Sequence, residues 1–252
     1  MKTFLCIVAR TASNRLPNKA LLNIFNDINL LDLLILRLKT EFDSNQIILA
    51  TTKLKEDETL EEIANIHKIN FFRGGEKNVL DRLINSCMMF SNCENIVRIT
   101  GDNPLTDPKV LKKMITDHEI NNSDYTFTES IPIGTRAEVL SLNFLKYLSE
   151  NIINKDNTEY LTYYFKKELG QINKKFNIDC KKIFSDDNLT VDTFEDLQYL
   201  KNVFKELEFK IYASLDEIIT IINTKNLIKK KSPLSTKFID LNDFNLKNIY
   251  HE

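Results

Sequence analysis

Three cations, Arg10, Arg15 and Lys19, fall within ten consecutive positions of "VARTASNRLPNKALL" (8–22), directly after an apolar run. Ala9, Ala12 and Ser13 are small enough to let the backbone approach a ligand and offer it N–H donors. Arginine brings forked donors that match phosphate oxygens, and lysine a point charge. The loop contains no glycine, so it is neither a Walker A nor a GxGxxG motif. Two readings stay open: a solvated surface turn, or a phosphate cradle.

Two carboxylates stand in comparable settings. Asp102 in "RITGDNPLTDP" (98–108) and Asp192 in "NLTVDTFEDL" (188–197) each follow an apolar, β-branched stretch. Each has a structural explanation. Asp102 suits a turn, and Asp192 or Thr193 suits a helix N-cap, with Glu195 and Asp196 favouring the first turn. Alternatively, the two meet over a phosphate and hold Mg²⁺, an ion that takes oxygen ligands, few protein carboxylates, and the phosphates themselves. Rival chemistries lack their residues. His67, His118 and His251 lie apart without metal-ligand spacing, which argues against zinc and against a Ser-His-Asp triad. Cys6, Cys87, Cys93 and Cys180 include no CxxC pair and read as reduced thiols, Cys87 and Cys93 on one helix.

The elements that must position these residues alternate along the chain. "TFLCIVA" (3–9), "QIILATT" (46–52), "NFFRG" (70–74), "NIVRIT" (95–100) and "DYTFT" (124–128) read as strands. "NLLDLLILRLKTEF", "DETLEEIANIHK", "NVLDRLINSCMMFS" and "PKVLKKMITDHEI" have helical spacing. Such alternation predicts an α/β fold with a mostly parallel sheet flanked by helices. Ligands then bind at the carboxyl ends of the strands, where both the basic loop and "TGDNP" fall. Farther on, "AEVLSLNFLKYLSEN" reads as a strand running into a helix, "NTEYLTYYFKKELG" as a helix, and "KKFNIDC" and "NLTVDT" as strands. "TFEDLQYLKNVFKEL" and "SLDEIITIINTKN" read as helices, and "KKKSP" (229–233) as an exposed connection.

Composition is that of a globular protein: 252 residues, 42% hydrophobic, 28% charged, formal net charge -2. No stretch approaches the roughly 18 uncharged apolar residues of a membrane span, and the N-terminus lacks a signal-peptide pattern, so the expected location is cytoplasmic. Nucleic-acid binding is disfavoured by the lack of a long basic stripe. Without repeats, low-complexity tracts or Pro/Gly linkers, a single domain is expected.

The loop "IVARTASNRLPNKALL" resembles the signature of the bacterial sugar cytidylyltransferases, which include the CMP-Kdo synthetases, the CMP-sialic acid synthetases and the spore-coat polysaccharide cytidylyltransferase-like proteins. "FRGGEKNVLDR", "VRITGDNPLTDP", "LTVDTFEDL" and "SLDEIITII" resemble further segments of the spore-coat group, in the same order over nearly the whole chain. The resemblance implies a Rossmann-like nucleotide-diphospho-sugar transferase fold. It makes 1–252 one nucleotidyltransferase domain, with a nucleotide-binding half (1–128) and an acceptor-binding half (129–252) carrying the second metal ligand and the C-terminal helices. It implies that Arg10 and Lys19 hold the triphosphate of CTP, with Ser13, the backbone at Ala9 and Ala12, and Arg15. Arg82 would meet the base or ribose, and Thr100 would face the nucleotide; a structural ion pair is the alternative for Arg15 and for Arg82. Asp102 and Asp192 would carry Mg²⁺, and Arg10, Lys19 and Asp102 would be catalytic. A homodimer is also implied.

Two departures fall in the acceptor half. The spore-coat group shows a stretch like "GLDVEVF" where this chain has "GTRAEVL" (134–140), keeping Glu138 but placing basic Arg136 at an acidic position. It shows "EHVTPY" where this chain has "EYLTYY" (159–164), keeping Glu159 and exchanging histidine for Tyr160. Charge reversal at Arg136 favours a more negative small acceptor, a carboxylate or a phosphate ester; otherwise Arg136 faces solvent or pairs with Glu138. The implied activity is Mg²⁺-dependent transfer of CMP from CTP to an acidic sugar for surface polysaccharide. Transfer to a sugar or polyol phosphate, or nucleotide binding without catalysis, are the alternatives.

Overall fold

In the computed structural model the basic loop leaves the first strand at the centre of a seven-stranded sheet. Residues 2–13, 15–152, 158, 161, 164, 175–177 and 188–227 are described. The strands are β1 (Thr3–Val8), β4 (Ile47–Thr52), β5 (Asn70–Gly74), β6 (Asn95–Thr100), β7 (Tyr125–Phe127), β8 (Glu138–Ser141) and β9 (Lys175–Asn177), in the order β5-β4-β1-β6-β8-β7-β9. β2 (Asn23–Phe25) and β3 (Ile28–Asn29) form a separate small hairpin that the sequence pattern does not announce.

β5, β4, β1 and β6 run parallel. The chain steps outward from β1 to β4 and β5, then returns to place β6 on the other side of β1. That reversal opens a crevice at the carboxyl ends of β1 and β6, paired through Val8 and Thr100. β8 is inserted antiparallel to both β6 and β7, which brings its first residue, Glu138, level with Arg98.

Helices α3 (Val79–Met88) and α5 (Leu142–Asn151) cover one face, burying Leu80, Leu83, Phe144 and Leu148 against Phe4, Ile48, Ile96 and Leu140. α1 (Leu30–Leu38), α2 (Thr59–His67) and α4 (Pro108–Ile120) cover the other, against Leu5, Ile7, Leu49, Val97 and Ile99. α6 (Phe194–Glu206) and α7 (Leu215–Thr224) pack with the hairpin in a third cluster.

Three expectations are corrected. "NLTVDT" (188–193) is not a strand: Leu189 and Val191 are buried in the third cluster, and their amides bond to the loop carbonyls of Ile133 (2.8 Å) and Asp102 (2.9 Å). The helix expected to hold both Cys87 and Cys93 ends at Met88. Two tight turns then return the chain, putting the Cα atoms of Cys87 and Cys93 5.7 Å apart in a disulfide, so these are not reduced thiols. Cys6 is free, and burial pushes its thiol up to about 11 against a hydrogen bond with Ser86. Cys180, His251, "KKKSP", most of "NTEYLTYYFKKELG", Glu159 and Tyr160 lie outside the described residues.

Candidate active site

The basic loop is anchored from beneath. Asp57, fully buried in the single turn Lys55–Glu58 after β4, accepts from the backbone N–H and the hydroxyl of Thr11, both at 2.7 Å. Its other oxygen accepts from Thr52. Burial alone would raise this carboxyl, but the bonds from Thr11 and Thr52 outweigh it and hold it below its ordinary range. Above this anchor the loop closes on itself through Asn18 N–H to the Thr11 carbonyl (3.0 Å), with Asn18 at φ 54°. Lys19 begins one 3₁₀ turn, Lys19–Leu21. Gly101 fits the crevice because a Cβ there would lie 2.8 Å from that of Ala9.

Asp102 follows β6, and Asp192 ends the extended segment bonded to it through Val191. Thr193, not Asp192, caps α6 in a reciprocal box with Asp196. That leaves the Asp192 side chain to face the loop. Lys19 Nζ donates to Asp102 Oδ2 at 2.6 Å and to Asp192 Oδ1 at 3.0 Å, and Arg15 donates to the same Asp192 oxygen at 2.8 Å. For Asp102, burial pushes the carboxyl up, but attraction to Lys19 and bonds from Lys19 and Thr100 together hold it below its ordinary range. For Lys19, burial pulls the ammonium down, and the two carboxylates more than reverse that.

The structure therefore gathers Arg15, Lys19, Thr100, Asp102 and Asp192 at one point. Arg10 stands at its rim, 3.9 Å from Glu76. Ser13 Oγ accepts from Leu16 N–H at 3.4 Å within the loop, Ala12 is exposed, and Ala9 is buried against Gly101. Other residues are engaged differently. Arg82 is buried and donates to the carbonyls of Gly75 (2.5 Å) and Glu76 (2.8 Å), in space that a Cβ on Gly74 would fill. Arg136 donates to the carbonyls of Ile131 (2.6 Å) and Glu129 (3.2 Å). Glu138 accepts from Arg98 at 2.6 Å and from the Tyr125 hydroxyl at 2.9 Å. The 129–136 loop lies directly against the Asp192 segment: Gly134 is at φ +88°, and a Cβ there would lie 2.2 Å from Thr190 N.

Asp57, Arg98, Tyr125 and Gly134 carry roles that sequence reasoning missed. "TTKLKEDE" offers several acids of equal promise, and only the pairing of β4 beside β1 selects Asp57. Neither described histidine serves the site. His67 Nε2 lies 2.8 Å from Asp32, and His118 is buried against Thr126 and Asn95, where burial lowers it to about 4.

A divalent cation fits here in one respect that can be checked: oxygens of two carboxylates converge on a single cationic atom, the Lys19 ammonium. Among the described residues no group of three or more His, Cys, Asp or Glu could hold a metal ion, so phosphate oxygens and water would complete the shell, as Mg²⁺ favours.

The profile described as Cytidylyltransferase matches residues 5–232. This chain belongs to the cytidylyltransferase family. This cytidylyltransferase is a nucleotidyltransferase enzyme of a family that binds CTP. It is 36% identical to an uncharacterized protein of Methanocaldococcus jannaschii over 225 residues, 88% of this chain and 86% of that one. It is 31% identical to the spore coat polysaccharide biosynthesis protein SpsF of Bacillus subtilis over 224 residues, 86% of this chain and 92% of that one. A solved cytidylyltransferase from Leptospira borgpetersenii superposes with a TM-score of 0.84 at 27% identity, covering 92% of this chain and 98% of that one. Among the described residues, no helix of this cytidylyltransferase is long and apolar enough to cross a membrane.

Proposed function

We propose that the protein transfers CMP from CTP to an acidic sugar of the 2-keto-3-deoxy type, with Mg²⁺ and release of pyrophosphate, in the synthesis of a surface polysaccharide. The observation that carries this reading is the meeting of Lys19, Asp102 and Asp192 beside the basic loop. Arg10, Arg15, Lys19 and the loop N–H groups bind the triphosphate and offset the charge that grows on the departing pyrophosphate. Asp102 and Asp192 hold Mg²⁺, which supplies Lewis-acid neutralisation at the α-phosphate. An acceptor hydroxyl oxygen forms the new bond to the α-phosphorus as the bond to the β-phosphate oxygen breaks, and its proton passes to solvent. Most of the protein's contribution is positioning.

Arg136, Glu138, Glu159 and Tyr160 are assigned to the acceptor. Support comes from the 129–136 loop, which is seated on the segment bearing Asp192, so an acceptor bound there lies beside the reacting phosphate. The test is pyrophosphate release from CTP with 2-keto-3-deoxy acid sugars, with sugar and polyol phosphates, and without acceptor, each before and after chelation. The reading expects release with the acid sugars only, lost to chelator and restored by Mg²⁺. Release with phosphates alone would give the protein a CDP-linked product instead. CTP binding without release from either class would place the acceptor outside both.

A further inference from the structure

Lys19 stands where a cation between Asp102 and Asp192 belongs. Its ammonium donates to Asp102 Oδ2 (2.6 Å), Asp192 Oδ1 (3.0 Å) and the Val191 carbonyl (3.4 Å). An ammonium has three donors, and all three are committed here. Arg15 brings a second positive charge to Asp192 at 2.8 Å. The two carboxylates are thus matched by two cations, and little net field remains to draw a free divalent ion from solution. A divalent ion entering beside the ammonium would meet repulsion at close range. Nor can Lys19 keep these contacts and also grip a triphosphate.

We infer that Lys19 is a resident counter-ion that makes the carboxylate pair selective: it shuts out free divalent metal and yields the pair only to metal delivered with a triphosphate. The phosphate oxygens give the ammonium a new partner as it leaves. Its backbone need not move, because the 3₁₀ turn and the bond from Leu22 N–H to the Lys19 carbonyl (3.1 Å) hold it. The exchange is a swing of the flexible four-carbon stem, an act the rigid fork of arginine suits less well. Metal and nucleotide affinities are then coupled, each raising the other by the same factor. This inference rests on the reading of Asp102 and Asp192 as the metal carboxylates.

Mn²⁺ is the probe, measured by electron paramagnetic resonance of the free ion and by thermal denaturation, on the full chain without acceptor. Wild type is expected to take up Mn²⁺ poorly alone and at least about tenfold more tightly with CTP. Lys19→Met should bind Mn²⁺ alone at least about tenfold more tightly than wild type, gain less from CTP, and show a rise in Tm with Mn²⁺ alone that wild type lacks. Lys19→Gln provides a second uncharged variant should Lys19→Met fail to fold. Asp102→Asn added to either variant should abolish the gained site; its survival would place Mn²⁺ elsewhere and overturn the inference. Equal Mn²⁺ binding by wild type and both variants without CTP would also overturn it while leaving the carboxylates as ligands. Absence of Mn²⁺ binding in all of them, with and without CTP, would remove the carboxylate reading itself.

Discussion

Two groups of cations flank the crevice, and what holds them differs. Beside β1, Arg10, Arg15 and Lys19 rest on carboxylates at a partly open crevice. On the α3 and β8 side, Arg82 and Arg136 rest on main-chain carbonyls, and Arg98 on the enclosed Glu138. A carboxylate partner can be exchanged for a phosphate, because one anion replaces another. A loop carbonyl that loses its guanidinium is left unsatisfied and the loop loses its shape. The first set is thus built to exchange its partners for phosphates, and the second to hold the surface around it in shape. Both look alike as letters in a sequence.

That division can be attacked from several directions. Asp102→Asn should lower kcat at least about a hundredfold, the scale of losing one electrostatic anchor, with little change in Tm. Near-normal turnover would remove the β1 set from the chemistry. Arg98→Met strikes the opposite set. With both side chains only 13% exposed, Glu138 would be stranded as a buried charge at a cost of about 3–5 kcal/mol in urea unfolding. Arg98→Met combined with Glu138→Leu should recover much of that loss. A cost below about 1 kcal/mol would class this pair with the exchangeable ones.

Asp57→Asn lies between the sets, since Asp57 binds no ligand yet holds the loop that does. Losing its charge-assisted bonds should cost about 2 kcal/mol and raise KM for CTP more than it lowers kcat. Because the folded Asp57 carboxyl titrates below its ordinary value of 3.8, its contribution is complete above that value and fades as pH falls through the folded one. The stability gap between wild type and Asp57→Asn should therefore narrow steadily as pH falls below about 4; a gap that does not narrow with falling pH assigns the effect to packing instead. The smallest effect is expected for Arg136→Ala: about 1 kcal/mol of stability, a raised KM for an acidic acceptor, and an unchanged KM for CTP. Equal rises in both KM values would erase the distinction between the two sides.

Much of this was legible in the chain. Buried strands such as Ile47–Thr52 and helices such as Pro108–Ile120 are long enough for apolar pattern and caps to declare them. The basic loop and Asp102 could be placed at one edge because both follow parallel strands. What escaped depends on partners rather than on local pattern. The β2–β3 hairpin is too short to show an alternating period. Glu138 meets Arg98 only because β8 inserts antiparallel to β6, a pairing no local signal specifies. Leu189 and Val191 imitate a strand since they are buried alternately, yet they pack among helices. Cys87 and Cys93 read as helical neighbours until the chain turns after Met88.

The bond from Val191 N–H to the Asp102 carbonyl, 2.9 Å long, carries a consequence for divergence within the family. Ninety positions separate Asp102 from Asp192, yet a main-chain bond joins the two segments that bear them directly. Changes in length confined to the exposed loops between α4, β7, β8 and α5 leave the two carboxylates facing each other, so long as the two ends still meet. Loop length in that interval is thereby decoupled from the distance between the two carboxylates.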